Sequence, residues 1–87
     1  MKRILTTLSL TVLLISTGVS WGADLGKGWA AYQNGDYATA LREWTPLAEQ
    51  KDALAQFSLG FMYESGRGVP RDYKTALKWY TLAAEQG

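Results

Sequence analysis

The fold is decided by a stretch that occurs twice, DYATALREWTPLAEQ at residues 36–50 and DYKTALKWYTLAAEQ at residues 72–86. The two copies are 36 residues apart, and nine of their fifteen positions are identical. Internal repeats with a period of about 20 to 50 residues are typical of proteins built by stacking one structural unit on the next. The sequence therefore predicts a repeat protein, and the character of the repeated unit follows from its apolar pattern.

Each copy has the pattern of an amphipathic helix. Apolar residues of the second copy recur at positions 73, 76, 77, 80, 83 and 84, which lie on one face of a helix. Asp36 and Asp72 stand at the N-cap positions, where a carboxylate can accept hydrogen bonds from free backbone amides. Pro46 lies inside the first copy and lacks a backbone donor, so we expect that helix to kink or break near residues 44–45.

A second apolar stretch that ends in glycine precedes each copy, from Trp29 to Gly35 and from Ala55 to Gly66. Each unit is therefore a helix, a glycine turn and a second helix, and five extra residues lengthen the second turn. The predicted fold is all-α, with helices at 25–34, 37–50, 53–65 and 73–86. The positions expected to hold the repeats together are Tyr37, Ala40, Leu41, Trp44, Ala55, Leu59, Gly60, Tyr63, Gly66, Gly68, Asp72, Ala76, Tyr80 and Ala84.

The first 22 residues have the pattern of a secretory signal peptide. Lys2 and Arg3 precede an uncharged apolar run at 4–19, and Ser20 and Gly22 are small residues suited to cleavage after Gly22. This predicts a periplasmic or secreted protein that has no stable membrane span after cleavage. An uncleaved membrane anchor is the alternative, although the run of 16 residues is shorter than the roughly 20 that a membrane-spanning helix needs. Cleavage leaves seven basic and eight acidic residues, which argues against a nucleic-acid partner.

The composition is unsuited to catalysis. The chain has no His and no Cys, which removes the commonest general base, thiol nucleophiles and thiolate metal sites. No Ser is followed by Lys three residues later, and the acidic residues do not have the spacing of a metal-binding loop. We therefore predict a protein that is not an enzyme and has no cofactor or metal.

Residues 52–87 closely resemble one Sel-1-like repeat, a relative of the tetratricopeptide repeat. The resemblance rests on AQFSLGFMY at 55–63, GRGVPRD at 66–72, ALKWY at 76–80 and AAEQG at 83–87. Residues 23–51 look like a shorter, tetratricopeptide-like opening repeat. The cysteine pairs of one secreted bacterial branch are absent, and the chain ends where a further repeat would normally begin.

The resemblance implies a short right-handed α/α solenoid of two helix-turn-helix repeats that binds partners on its concave side. It also implies an adaptor, scaffold or toxin-neutralising binder, whose partner would be another protein, in the cell envelope if the chain is exported. A self-assembling unit or a truncated repeat array is the alternative. An enzyme acting on β-lactams or the envelope is less favoured, because the chain lacks a nucleophile and a base.

Two groups of residues are candidate protein contacts. The first lies on the predicted concave face and consists of Gln33, Ser58, Met62 and Glu64. The second is Trp79 and Leu82, which stand off the main apolar stripe of the last helix and could form an exposed patch for a partner or for a second copy of the chain. Arg67 and Arg71 flank the long turn, where simple solvation is favoured over contact with an acidic partner.

Overall fold

The computed structural model describes residues 22–86, which contain four α-helices. These are α1 (Leu25–Gln33), α2 (Tyr37–Glu49), α3 (Ala53–Ser65) and α4 (Tyr73–Glu85). The four predicted helices are confirmed, with ends that agree within one residue. The predicted signal peptide, apart from Gly22, and the terminal Gly87 lie outside the described residues.

Each of the four helices begins after an aspartate N-cap. The carboxylate accepts a hydrogen bond from the backbone amide three residues later in all four, at Asp24, Asp36, Asp52 and Asp72. Asp36 and Asp72 also accept a side-chain hydrogen bond of 2.7 Å, from Thr39 and Thr75. These hydrogen bonds lower the pKa of both carboxyls, so they remain ionised where they oppose the positive end of the helix.

The helices pack in chain order, α1 on α2, α2 on α3 and α3 on α4, which makes the described part an all-α helical repeat solenoid. The predicted fold class is thereby confirmed. The core lies mainly between α2 and α3, and its fully or nearly fully buried members are Ala31, Ala40, Trp44, Ala48, Ala55, Leu59 and Met62. Gln56 is a buried polar residue whose amide donates to the Ala48 carbonyl at 3.1 Å and whose oxygen accepts from Gln86 at 2.7 Å.

The helix does not break near residues 44–45, because α2 continues through Pro46 to Glu49. A proline inside a helix costs about 3 kcal/mol or more, since it removes one hydrogen bond and crowds the preceding turn. Trp44 and Ala48 lie on either side of Pro46 and are 2% and 1% exposed. The burial of these side chains holds the last turn of α2 in place despite the local cost.

Glycines allow the two helices of each repeat to approach closely. A Cβ added at Gly60 of α3 would lie 2.7 Å from the ring of Tyr80 and 3.2 Å from the Ala76 carbonyl of α4. A Cβ at Gly28 of α1 would lie 2.6 Å from Cδ1 of Trp44 in α2. The missing side chain therefore sets the spacing of both helix pairs, and Gly28 and Gly60 are equivalent positions.

Equivalent positions in the two repeats differ in burial. Tyr37 and Leu41 of α2 pack partly buried against the core, whereas their counterparts 36 residues later, Tyr73 and Leu77, are 63% and 65% exposed. Tyr73 belongs to the predicted apolar face of the second copy but is exposed, and Ala84, predicted to hold the repeats together, is exposed as well. The reason is geometric: α3 covers α2 on this side, and no described helix covers α4.

Candidate functional site

Helix α3 carries apolar side chains on two faces. Ala55, Leu59 and Met62 point into the core and are at most 1% exposed. Leu54, Phe57 and Phe61 follow at spacings of three and four residues, and they are 63%, 55% and 41% exposed. This second stripe lies on the surface and outside the buried core.

The opposite wall is provided by α1. Trp29 is 53% exposed and stacks on Tyr32, with ring centroids 5.7 Å apart and planes 5° from parallel. Tyr32 in turn contacts Phe61 across the gap, with centroids 6.2 Å apart. The surface between α1 and α3 is therefore a groove with aromatic walls, which we call the aromatic groove.

The aromatic groove consists of two adjoining hollows. The first has a volume of about 410 Å³ and lies near the start of α1 and α3, next to Leu25 and Leu54. The second has a volume of about 450 Å³ and lies near the ends of these helices, next to Tyr32 and Phe61. Trp29, Trp44, Phe57 and Ser58 line both hollows, so the two form one continuous site.

Trp44 of α2 lies beneath the groove and is fixed from two sides. Its ring nitrogen donates a hydrogen bond of 3.1 Å to the Leu25 carbonyl, and its ring lies 5.8 Å from that of Tyr32. Gly28 leaves the space that this ring fills. The base of the groove is thus part of the core, and the exposed side chains stand on a rigid support.

Arg67 lies at the end of the second hollow. One of its terminal nitrogens donates a hydrogen bond of 2.7 Å to the Tyr32 hydroxyl, and the guanidinium lies over the rings of Tyr32 and Tyr37 at 5.8 and 6.0 Å. The hydrogen bond to Tyr32 and the nearby phenols raise the pKa of Arg67 above its already high value. Among residues 22–86, no carboxylate forms an ion pair with this guanidinium.

A third hollow of about 450 Å³ lies on the other side of Phe57, next to α4. The Tyr80 hydroxyl there donates a hydrogen bond of 2.7 Å to Glu64, and its ring lies 5.3 Å from that of Phe57. Burial, together with the hydrogen bond to Glu64, raises the pKa of Tyr80 to about 12, so the phenol is neutral at physiological pH. Tyr80 thereby contacts Phe57 at the edge of the aromatic groove and Glu64 in the third hollow.

The predicted concave-face residues are only partly brought together. Ser58 lines the aromatic groove, and Glu64 lines the third hollow. Gln33 is exposed at the end of α1 but lines none of the three hollows. Met62 is fully buried, so the structure removes it from the set of candidate contacts.

The second predicted group, Trp79 and Leu82, is not an exposed patch. Both side chains are half-buried, and Trp79 packs against the core. The exposed apolar side chains of α4 are instead Tyr73 and Leu77. The apolar face of α4 is broader than one stripe. The sequence pattern alone therefore did not show which side of this face would pack against the other helices and which would remain exposed.

The sequence prediction missed the main walls of the groove, Trp29, Leu54, Phe57 and Phe61. A signal was present, since the apolar residues of α3 exceed those of a single stripe. A helix that is apolar almost all round is normally buried on every side, so exposed apolar side chains on such a helix point to an interaction site. No helix within the described range is long and apolar enough to span a membrane, and no described group of three acidic side chains could hold a metal ion.

Comparison with known proteins finds a family match in the later part of the chain. Residues 53–87 match the family model of the Sel1 repeat. A sel1-like repeat-containing protein of Acanthamoeba polyphaga mimivirus is 50% identical over 51 residues, which are 54% of this chain and 10% of that protein.

Two further relatives have regulatory names. An exopolysaccharide production negative regulator of Rhizobium leguminosarum bv. viciae is 37% identical over 65 residues, 74% of this chain and 24% of that protein. Chitin synthase regulatory factor 3 of Schizosaccharomyces pombe is 51% identical over 35 residues, 40% of this chain and 4% of that protein. The chain thus spans a quarter or less of the length of these relatives, and no solved structure gives a significant match.

Proposed function

We propose that this chain, whose residues 53–87 match the family model of the Sel1 repeat, is a non-catalytic protein-interaction module that binds an apolar segment of a partner protein in the aromatic groove. The observation that carries the proposal is the exposure of Trp29, Leu54 and Phe57, each more than half exposed above a fully packed core. Large apolar side chains gathered in one concave surface are typical of interaction sites.

Burial of these side chains would supply the binding energy. Each fully buried large apolar side chain contributes about 1.5–3 kcal/mol, and aromatic residues in desolvated pockets dominate many interfaces. The groove is already formed and rests on Trp44, so little conformational entropy is lost when a partner binds. A preformed aromatic surface of this kind suits recognition without chemistry.

The names of the relatives support a regulatory or adaptor role. Two of them are called regulators, of exopolysaccharide production and of chitin synthase. Because the chain spans a small part of each, we carry over only the general role of a binding module. On the basis of residues 1–22 we further propose that it acts in the periplasm or outside the cell. Mass spectrometry of the protein from its producing cells should then show a chain beginning at Ala23, and an intact Met1 would contradict export with cleavage.

Site-specific photo-crosslinking in the producing cells tests the binding role. A benzoylphenylalanine at position 58 lies in the groove, whereas the same group at position 38 lies on the exposed side of α2. We expect one protein to be linked at position 58 and lost when Phe57→Ser is added. Equal adducts at both positions, or none at position 58, would refute the proposal.

Self-association is a second candidate, favoured by the exposed Tyr73 and Leu77 of α4. Helix α1 of a second copy could not pack on α4 as α3 packs on α2. The position of α1 that is equivalent to the buried Leu59 of α3 is the exposed Lys27. A second copy would therefore place its own α4 against this surface. Sedimentation should then show concentration-dependent dimers that Leu77→Glu abolishes and Ala38→Glu leaves intact; a monomer at all concentrations would exclude this candidate.

A further inference from the structure

Arg67 is a fixed positive charge at the border of an apolar site. Its side chain is exposed, yet it makes a hydrogen bond to Tyr32 and lies over the rings of Tyr32 and Tyr37. An exposed arginine normally moves freely or pairs with a carboxylate. Here the guanidinium is ordered by neutral groups, and several of its N–H donors are left for an external acceptor.

The position of this charge relates it to the groove. Arg67 lines the second hollow together with Trp29, Phe57 and Phe61. Lining atoms of both hollows are overwhelmingly apolar, and Arg67 is the one ionised side chain among them. A ligand that fills this hollow therefore meets apolar walls along most of its length and a guanidinium at one end.

The dimensions limit what can be bound. Leu54 and Phe61 are seven residues apart on α3, about 10 Å along the helix axis. An extended chain covers that distance in about three residues. The groove thus accommodates a short segment and not a large folded surface, and the group that meets Arg67 must lie close in sequence to the side chain that fills the hollow.

We propose that the aromatic groove selects a partner segment in which a bulky apolar side chain lies within about three residues of an aspartate or glutamate, whose carboxylate binds Arg67. A guanidinium and a carboxylate form charge-assisted hydrogen bonds with good geometry, and the apolar surroundings of the hollow strengthen them. This inference rests on the proposed function and adds the chemical class of the partner.

The test selects ligands from a random peptide library displayed on phage against the purified full chain. Sequences retained by the wild-type protein should combine Leu, Phe or Trp with a nearby Asp or Glu. For the best such peptide, Arg67→Glu should lower the affinity by about tenfold or more, Arg67→Lys should lower it less, and raised salt should weaken wild-type binding. Lys78→Glu makes the same charge change on the exposed side of α4 and should leave the affinity unchanged.

The outcomes separate the two proposals. Apolar peptides without an acidic residue, bound equally by wild type and Arg67→Glu, would overturn the role of Arg67 and leave the groove as the binding site. Acidic peptides whose binding survives Phe57→Ser would show that the groove is not the site, and both proposals would fail. Circular dichroism of each variant confirms that the helices are intact, so that lost binding reports on the surface.

Discussion

The replacement Gly28→Ala tests the close contact of α1 with α2 and the support of the groove in one experiment. A Cβ at this position would lie 2.6 Å from Cδ1 and 2.8 Å from Cε2 of Trp44, much closer than carbon atoms normally approach. The indole is 2% exposed and hydrogen-bonded to the Leu25 carbonyl. Either α1 or the indole must therefore move, and both movements disturb the base of the aromatic groove.

The expected magnitude follows from three contributions. Inserting a methyl group into a packed site costs about 1–3 kcal/mol, and loss of the indole hydrogen bond costs about 1 kcal/mol more. Alanine regains about 1 kcal/mol relative to glycine inside a helix. The net loss in the free energy of unfolding is about 1–3 kcal/mol, and each kcal/mol lowers Tm by about 4–8 °C in a domain of this size.

Thermal unfolding followed by circular dichroism at 222 nm measures this loss. Gly26→Ala is the matched control, because it makes the same change at an exposed position of α1, where the nearest atom is an Asp24 oxygen at 3.2 Å. We expect the control to melt at or slightly above the wild-type temperature. A Gly28→Ala variant as stable as the wild type would mean that the indole is not held as described, and the preformed groove would have to be abandoned.

Three further predictions concern single side chains. Asp72→Ala should lower Tm at neutral pH, whereas Asp72→Asn keeps a capping oxygen and should lower Tm less. The Thr75 hydrogen bonds hold the pKa of Asp72 below its usual 3.8. The stability that the Asp72 carboxylate contributes should therefore be complete above pH 3.8 and lost as pH falls through the lowered pKa. The pKa of Tyr80 is raised to about 12. The stability that the neutral phenol contributes is therefore present below pH 10 and lost as pH rises towards 12. In chemical unfolding, the free energy of unfolding of Tyr80→Phe should not show this loss between pH 10 and 12. Trp79→Glu should lower helicity and Tm, because the indole packs against the core; unchanged melting would contradict that placement.

The helices were predictable because their signals are local. Aspartate caps, glycine ends and a repeat of 36 residues fix the four elements almost to the residue. The helix does not break at Pro46, because Trp44 and Ala48 on either side are buried by packing against neighbouring helices. A proline penalty can be read from the sequence, but the tertiary contacts that outweigh it cannot.

The candidate site was less predictable because it depends on which apolar residues remain uncovered. Tyr37 and Tyr73 occupy equivalent positions, yet one is half-buried and the other is 63% exposed. Met62 and Phe61 are neighbours in the same apolar stretch, and one is fully buried while the other is exposed in the groove. Periodicity identifies an apolar face, but only the placement of neighbouring helices shows which of two faces becomes the core.

The two faces of α3 divide the structural and binding roles of the chain. Its inner face carries Leu59 and Met62, whose burial stabilises the solenoid, and its outer face carries Phe57 and Phe61, which can be changed without opening the core. Substitutions on the outer face should therefore change the bound partner at little cost in stability. Under the proposed function, the same short solenoid could serve different partners through replacement of a few groove residues. Charge at Arg67 would then act together with the shape of the groove in selecting the partner.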